Sequence, residues 1–185
     1  MKKTNESFSE AIRNLPPEVI REIADVATIR TYVTFGEYKK LDELLSGKTP
    51  EEAKRLVNDI DDFDLGAPVH IATVRDNVRM LRLLRKHGAD LNAQTKLSWS
   101  TPLMLAIEAN SAHAFKYLSS PRVGVDKTIT NRKGQTAEQV LSEMIQNNKD
   151  QISLDLKIIS RYENRLETQE KWMKILSDRG QHKKG

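Results

Sequence analysis

Apolar residues recur at intervals of three and four positions along much of the chain, in short runs that Gly, Pro, Asn or Asp separate. Leu41, Leu44 and Leu45 end one such run, and Leu83 and Leu84 end the next at the equivalent place. This spacing puts apolar side chains on one face of a helix, whereas a half-buried strand alternates apolar and polar residues. The pattern predicts a series of short helices joined by turns, and therefore an all-α protein.

The runs repeat with a nearly constant period. Residues 67–72 read Ala-Pro-Val-His-Ile-Ala, residues 101–106 repeat this start as Thr-Pro-Leu-Met-Leu-Ala, and a third start follows at residues 134–137. Gly88-Ala89-Asp90 opens the turn that closes one unit, and Gly124-Val125-Asp126 closes the next unit in weaker form. In their signature and order these units resemble the ankyrin repeat, which has a period of about 33 residues and a Thr-Pro-Leu-His start.

The resemblance implies an all-α ankyrin-repeat solenoid of three to four helix-pair repeats with helical N- and C-terminal caps. It covers residues 27–148, with clear repeats over residues 66–148 and a worn first unit in which Gly36 lies between two helical patterns. Thr49-Pro50-Glu51-Glu52 predicts a short helix in place of the first finger. In the family the other loops project as β-hairpin fingers, whose tips we expect near residues 94–100 and 130–133.

Several positions depart from the family pattern and mark these repeats as degenerate. Ala67 replaces the Thr that caps the first helix, and Met104 replaces the His of the signature. Asp76 and Asn110 stand where the family usually has a Gly between its two helices. His70 is retained, and the resemblance implies that it ties its turn to the neighbouring turn by hydrogen bonds.

The resemblance also implies non-enzymatic binding of another protein, through the fingers and the concave face of the inner helices. The family's contact positions map onto Val74, Arg75, Lys96, Leu97, Trp99, Ser100, Glu108, Arg132, Lys133 and Gln135. Trp99 is the predicted anchor, because Trp is enriched among the residues that dominate binding energy. The alternative is that Trp99 and Leu97 fold down onto the long loop before Gly124.

We expect residues 1–26 to form an N-terminal helical cap, and residues 15–20 allow a second interpretation. Their sequence, Leu-Pro-Pro-Glu-Val-Ile, is similar to the opening of an F-box, the module that docks on the adaptor of cullin ubiquitin ligases. Leu15, Pro16 and Ile20 would then contact the adaptor, and the chain would be an adaptor or a secreted bacterial effector that recruits a host ligase. The similarity covers only these residues, while an F-box needs roughly three helices, so the sequence favours a cap.

Residues 149–185 are predicted to form a long amphipathic helix with a basic tail. Residues 150–179 contain no Gly or Pro, which are the residues that most often end a helix. A near-heptad stripe runs along the helix and consists of Ile152, Leu156, Ile159, Tyr162, Leu166, Gln169, Met173 and Leu176. The helix either folds back to cap the last repeat or binds a partner, including a second copy of the chain.

Basic residues line one face of the second helix in the first clear repeat. Arg79, Arg82 and Lys86 are three and four positions apart, so they share that face. The corresponding helix of the family lies on the outer side, which predicts a solvated surface. The alternative is a contact with an acidic protein or a phosphate surface.

Composition excludes several classes of function. The 185 residues carry 30 Lys and Arg against 26 Asp and Glu, and no segment is basic enough to predict a specific nucleic-acid partner. The absence of Cys excludes thiolate catalysis and Cys-based zinc sites. The four His show no metal-ligand spacing, and the acidic run at residues 59–64 lacks the pattern of a calcium loop. We therefore expect no catalytic residue, metal or cofactor, and we interpret the acidic run as a solvated linker.

The chain shows no apolar run of membrane-spanning length and no secretory signal after Met1. We therefore expect no membrane anchor and a cytoplasmic location. An injected bacterial effector would instead act in the cytosol of a host cell.

Overall fold

The computed structural model describes residues 15–60 and 66–181. These residues form eight helices and no strand, which confirms the all-α class. Most of the predicted N-terminal cap, residues 61–64 of the acidic run and the end of the basic tail lie outside the described residues. The helices are α1 (Pro17–Phe35), α2 (Tyr38–Ser46), α3 (Pro50–Val57), α4 (Pro68–Val74), α5 (Val78–Lys86), α6 (Pro102–Glu108), α7 (Ala112–Leu118) and α8 (Ala137–Gln181).

The chain divides into two compact units, Met1–Leu141 and Ser142–Gly185. In the first unit, α1 packs on α2, α4 on α5, and α6 on α7, so the chain forms three helix pairs. The first helices stack in the order α1, α4, α6, and the second helices stack in the order α2, α5, α7. Residues such as Val33, Leu41, Val69, Leu84 and Met104 are buried between them. This arrangement confirms the predicted ankyrin solenoid, because each pair buries its apolar face against its neighbours.

The turn between the two helices of each pair contains one residue in the left-handed conformation. These residues are Gly36 with a φ of 72°, Asp76 with 53° and Asn110 with 53°. Asp and Asn tolerate this region better than other residues with side chains, which explains how both replace the family's Gly. In each turn the next amide donates a hydrogen bond of 2.8 or 2.9 Å to a helix carbonyl: Glu37 to Tyr32, Asn77 to Ala72, and Ser111 to Ala106. The worn first unit is therefore a helix pair of the same construction.

His70 joins two consecutive turns, as the resemblance predicted. Its Nδ1 accepts a hydrogen bond of 2.9 Å from the Ala67 amide, and its Nε2 lies 2.9 Å from the Ala93 carbonyl oxygen. Since a carbonyl only accepts, this pairing places the ring hydrogen on Nε2. Gly66 has a φ of +66°, and a Cβ there would lie 2.5 Å from the His70 ring. A glycine is therefore required beside the imidazole.

Asparagine side chains repeat a second link between units. The Asn58 Oδ1 accepts a hydrogen bond of 2.7 Å from the Asp90 amide, and the Asn92 Oδ1 accepts one of 2.8 Å from the Asp126 amide. Asn58 also donates a hydrogen bond of 2.9 Å to the Gly88 carbonyl. These bonds fix the loop at the end of each unit onto the loop of the next.

The predicted short helix in place of the first finger is α3, and it packs on α1. Its start has the expected capping box, in which the Thr49 hydroxyl accepts from the Glu52 amide and the Glu52 carboxylate accepts from the Thr49 amide. Ion pairs between Lys48 and Asp25 and between Arg55 and Glu22 hold this segment against α1.

Two of the basic residues on α5 contact tyrosines of the neighbouring pairs. The Arg79 guanidinium lies 4.4 Å from the centroid of the Tyr38 ring, and that of Arg82 lies 5.7 Å from the Tyr117 ring. Both arginines are exposed, as predicted, but their planar groups also link α5 to the helix pairs on either side.

The last repeat consists of a first helix only. Thr136 caps it, as Thr101 caps α6, but α8 continues without a break for 45 residues. Counting from these caps, Ile145 occupies the position of Asp76 and Asn110. A β-branched residue is strongly disfavoured in the left-handed conformation, so the chain stays helical there. The long helix predicted from residue 150 therefore begins at Ala137, while its capping and self-association roles remain predictions.

Candidate protein-binding surface

The first finger that the chain forms, at residues 94–100, is a closed turn rather than the expected β-hairpin. The Thr95 amide donates to the Ser100 carbonyl at 3.1 Å, and the Trp99 amide donates to the Thr95 carbonyl at 3.1 Å. Inside the loop, the Thr95 and Ser98 hydroxyl oxygens are 2.7 Å apart, and Thr95 also accepts from the Ser100 amide. The buried Thr95 therefore holds the loop closed through its hydrogen bonds.

Trp99 stands at the end of this turn with 51% of its surface exposed. Its backbone has a φ of 55°, a conformation that residues with bulky side chains rarely adopt. Leu97 is also exposed. Both side chains therefore remain accessible, in a loop whose hydrogen bonds hold the strained residue in place.

Asn131 organises the second finger in the way that Thr95 organises the first. Its side-chain oxygen accepts hydrogen bonds of 3.0 Å from the amides of Lys133 and Gln135. Its carbonyl accepts from the Gly134 amide, and its own amide donates to the Gln135 carbonyl. Asn131 was not predicted as a site residue. An Asn side chain in a turn commonly accepts a hydrogen bond from the amide two residues later, here that of Lys133.

The two fingers are joined by direct hydrogen bonds. The Arg132 amide donates to the Ser98 carbonyl at 2.9 Å, and the Arg132 guanidinium donates to the Leu97 carbonyl at 3.3 Å. The Gln94 side chain donates to the carbonyls of Trp99 and Thr130 at 2.8 and 2.9 Å. The backbone carbonyls of Leu97 and Trp99 are therefore fixed by Arg132 and Gln94, and the two fingers form one continuous surface.

Most of the predicted contact residues are accessible. Exposed side chains include Val74, Arg75, Lys96, Leu97, Trp99, Glu108, Arg132 and Lys133, while Gln135 is half-buried. The expectation that Ser100 is accessible is wrong. Only 1% of its surface is exposed, because both its amide and its carbonyl are bonded to Thr95 inside the loop. Ser100 therefore supports the finger from inside the loop.

Phe35 was missed in the sequence analysis. It precedes Gly36 as Arg75 precedes Asp76, so it holds the equivalent position at the end of its first helix. It is 76% exposed, a high value for a phenylalanine. An alignment of the three turn residues with positive φ, Gly36, Asp76 and Asn110, would have revealed the position of Phe35.

The charged residues of this accessible surface are mainly basic. Arg75, Lys96, Arg132 and Lys133 carry positive charge, while Glu108 carries the opposite charge. Poor solvation raises the pKa of Glu108, and the charge of Lys133 acts in the opposite direction. The finger side therefore offers a positive surface around exposed aromatic and aliphatic groups.

The F-box-like residues lie at the start of α1. Leu15 is half-buried, Pro16 is exposed immediately before the helix, and Ile20 is exposed on the helix. The same helix continues to Phe35 and supplies the first helix of the first pair.

Within residues 15–60 and 66–181, no three His, Asp or Glu side chains lie close enough together to hold a metal ion. None of the helices in this part of the chain has the length and apolar character needed to cross a membrane.

A family model described as "Ankyrin repeats (3 copies)" matches residues 33–131. The chain is also similar to the I-Kappa-B like protein G2 of Microplitis demolitor bracovirus (isolate Webb), with 30% identity over 115 residues. That match covers 60% of this chain and 60% of the viral protein. The matched region contains α2 to α7 and, of α1, only the end from residue 33 to Phe35.

Proposed function

Because the chain belongs to the ankyrin-repeat family, we propose that it is a non-enzymatic scaffold that binds another protein through its finger surface. The surface consists of Phe35, Val74, Arg75, Lys96, Leu97, Trp99, Glu108, Arg132, Lys133 and Gln135. The observation that carries the proposal is Trp99, which is half-exposed in a strained loop that hydrogen bonds hold in place. Strain of this kind persists where the surrounding structure enforces it, and it is concentrated at functional sites.

The surface favours a partner with acidic and apolar groups. Trp99, Leu97 and Phe35 would fill apolar depressions of the partner, and such buried aromatic anchors dominate binding energy. The basic side chains around them would steer an acidic surface into place and raise the association rate. Since the two fingers are joined by hydrogen bonds, little conformational freedom is lost on binding.

The viral relative supports a more specific form of the proposal. Its name describes it as I-Kappa-B like, so an IκB-like interaction is the first to examine for this chain. The cytoplasmic location expected from the sequence stays a prediction.

Recruitment of a ubiquitin ligase through Leu15, Pro16 and Ile20 is the second candidate function. One observation favours it: Val19, Ile20 and Ile23 are exposed apolar residues on the first part of α1. The continuity of α1 with the first helix pair fits a cap equally well. The bacterial-effector hypothesis has no support beyond the sequence similarity.

Capture of partners with the tagged full-length chain tests these proposals together. Bound proteins from eukaryotic cell lysate would be identified by quantitative mass spectrometry, for the wild type beside three variants. Trp99→Ala removes the proposed anchor, and Leu15→Ala/Ile20→Ala removes the F-box-like contact. Leu154→Ala is the control, because Leu154 is an exposed apolar residue outside both surfaces. We expect a protein that is lost with Trp99→Ala and retained with the other two. A cullin-ligase adaptor lost only with Leu15→Ala/Ile20→Ala would overturn the proposal.

A further inference from the structure

A shallow groove on the helix of the second unit combines exposed apolar side chains with basic ones. Ile152 and Leu156 are 59% and 61% exposed. All described residues of this unit belong to α8, so no other described element of the unit covers them. The groove, here called the basic groove, is lined by Lys149, Ile152, Ser153, Leu156, Lys157, Ser160 and Arg161. A helix is stabilised mainly by packing its apolar face on another element, so the basic groove is a candidate docking surface.

The lining residues form two neighbouring rows along α8. Because residues four positions apart share a row, the first row is Lys149, Ser153, Lys157 and Arg161, and the second is Ile152, Leu156 and Ser160. The groove between the rows extends over about 18 Å of helix. The serines are the smallest side chains of both rows, so they leave room between the longer ones. Two helices pack by placing a row of side chains from one helix into such a groove of the other.

The first row carries three positive charges that the helix itself does not compensate. In the described part of the chain, no acidic side chain forms an ion pair with Lys149, Lys157 or Arg161. Two acids of the same segment, Asp150 and Asp155, instead accept hydrogen bonds of 2.9 and 3.0 Å from glutamines one turn earlier. An occupant of the groove therefore meets apolar surface on one side and uncompensated positive charge on the other.

We propose that the basic groove binds an amphipathic helix of another protein, which bears acidic residues along one edge of its apolar face. The apolar face would cover Ile152 and Leu156 and supply the hydrophobic part of the binding energy. The acidic edge would pair with the three cations and fix the register and direction of the bound helix. Docking on the basic groove does not depend on the finger surface, so the chain would hold two partners at separate places.

The side chains around α8 favour a helix over two other occupants. Leu154 and Ile158 are exposed roughly 160° around the helix from Ile152 and Leu156, whereas a helix that lies on a lipid surface has one apolar side and one strongly charged side. The same groove of a second copy would bring three more cations and no acid. Neither occupant complements the groove as an acidic helix does.

Binding of synthetic helical peptides to the full-length chain tests the proposal, with fluorescence anisotropy as the readout. The first peptide has about 18 residues, with a stripe of Leu at spacings of three and four and with Glu along both edges of the stripe. The second peptide has Lys at every Glu position and is otherwise identical. We expect the acidic peptide to bind roughly 10-fold more tightly or better, and we expect this difference to shrink as salt is added, because salt screens exposed charges.

Charge reversal assigns the preference to the groove. Lys149→Glu/Lys157→Glu should weaken binding of the acidic peptide roughly 10-fold or more, since two attractive pairs become repulsive, and it should bind the basic peptide better than the wild type does. Lys39→Glu/Lys127→Glu is the control, because these lysines are exposed outside the groove and the change in net charge is the same. The control variant should bind the acidic peptide within a few-fold of the wild type.

A second pair of variants tests the apolar row. Ile152→Ser/Leu156→Ser should also weaken binding of the acidic peptide roughly 10-fold or more, since it removes the exposed apolar surface of the groove. Leu154→Ser/Ile158→Ser removes the same two residue types from the opposite side of α8, so the cost in helix propensity is matched. This control should bind within a few-fold of the wild type, and circular dichroism verifies that each variant keeps its helical content.

Four outcomes would overturn the proposal. Equal affinities for the acidic and basic peptides, or no binding of either, would show that the groove does not select an acidic helix. Equal losses in the groove variants and their controls would place the contact elsewhere. Capture of the wild type by vesicles of phosphatidylcholine and phosphatidylserine, lost in the groove variants, would make a lipid surface the occupant. A dimer in sedimentation equilibrium that only Ile152→Ser/Leu156→Ser abolishes would make a second copy the occupant.

Discussion

The carboxylate of Asp76 accepts a hydrogen bond of 2.7 Å from the backbone amide of Ala114, in the next helix pair. Ser111 precedes α7 at the position where a side chain usually caps a helix, but its own side chain makes no capping bond. Asp76 therefore caps α7 from the neighbouring repeat and also pairs with His113 at 2.6 Å. Since its left-handed backbone aims the carboxylate at α7, one residue both turns the chain and joins two repeats.

Replacement of Asp76 by Ala should destabilise the protein by about 1–2 kcal/mol, because α7 loses its cap and Ala tolerates the left-handed turn poorly. Asp76→Asn should lose less, since its side-chain oxygen still accepts from Ala114. Urea unfolding followed by circular dichroism measures both values. Equal stability of wild type and Asp76→Ala would contradict the capping role.

The stabilisation from Asp76 should depend on pH. Burial acts to raise the pKa of Asp76, but hydrogen bonds from the Ala114 amide and His113 outweigh it and lower the pKa. A carboxyl group with a lowered pKa stabilises the fold above the value in the unfolded chain, near 3.8, and this contribution is lost as the pH falls through the folded value. The difference in unfolding free energy between wild type and Asp76→Ala should shrink from pH 7 to pH 3, and a constant difference would contradict this account.

A second acid-sensitive contact joins α2 and α5. The Asp42 carboxylate lies 2.7 Å from His87 Nε2 and 3.0 Å from Lys86 Nζ, and these hydrogen bonds, that of His87 foremost, lower the pKa of Asp42. Its contribution to stability should therefore also be present near neutral pH and disappear in acid. Asp42→Asn should lower the melting temperature at pH 7 and have a smaller effect at pH 3. Equal effects at both values would mean that the charge of Asp42 is unimportant.

Replacement of His70 by Ala should cost about 2–4 kcal/mol of unfolding free energy, because it leaves a cavity and two unpaired backbone groups, the Ala67 amide and the Ala93 carbonyl. Chemical denaturation measures the loss. His113→Ala is the control, since that imidazole is largely exposed. A loss no greater than that of the control would mean that His70 does not link the two turns.

Trp99 offers a test of backbone strain that does not require the partner. Trp99→Gly should be more stable than Trp99→Ala by about 1 kcal/mol, because Gly adopts a φ of 55° without steric cost. Thermal unfolding of the two variants provides the comparison. If Trp99→Ala were the more stable, the finger would not be strained at this residue.

The repeat period was enough to predict the three helix pairs, because the beginning of a repeat carries a local sequence signal. Examples are Thr101-Pro102 and Gly66 ahead of His70. The last repeat was harder to predict, since its end depends on the inability of Ile145 to adopt the turn conformation. The role of Ile145 becomes visible only when the last repeat is aligned with Asp76 and Asn110, because no local motif marks it. Long-range pairs such as Asp76 with Ala114, 38 positions apart, depend on packing that no local pattern encodes.

The finger surface was partly predictable for the same reason. The contact positions of the family correctly predicted that Trp99, Leu97 and Arg132 are exposed. The error at Ser100 arose because its burial depends on hydrogen bonds with Thr95, and sequence spacing does not reveal such bonds. Phe35 was missed because its repeat is worn, although its place before Gly36 is regular.

The most direct test of the binding surface is the dissociation constant of the captured partner, measured by isothermal titration calorimetry for the wild type, Trp99→Ala and Ile23→Ala. We predict that Trp99→Ala weakens binding about 30-fold, or about 2 kcal/mol, while its melting temperature stays close to that of the wild type. Ile23→Ala should bind within a factor of about two of the wild type, since Ile23 lies outside the proposed surface. An unchanged dissociation constant for Trp99→Ala would contradict the account.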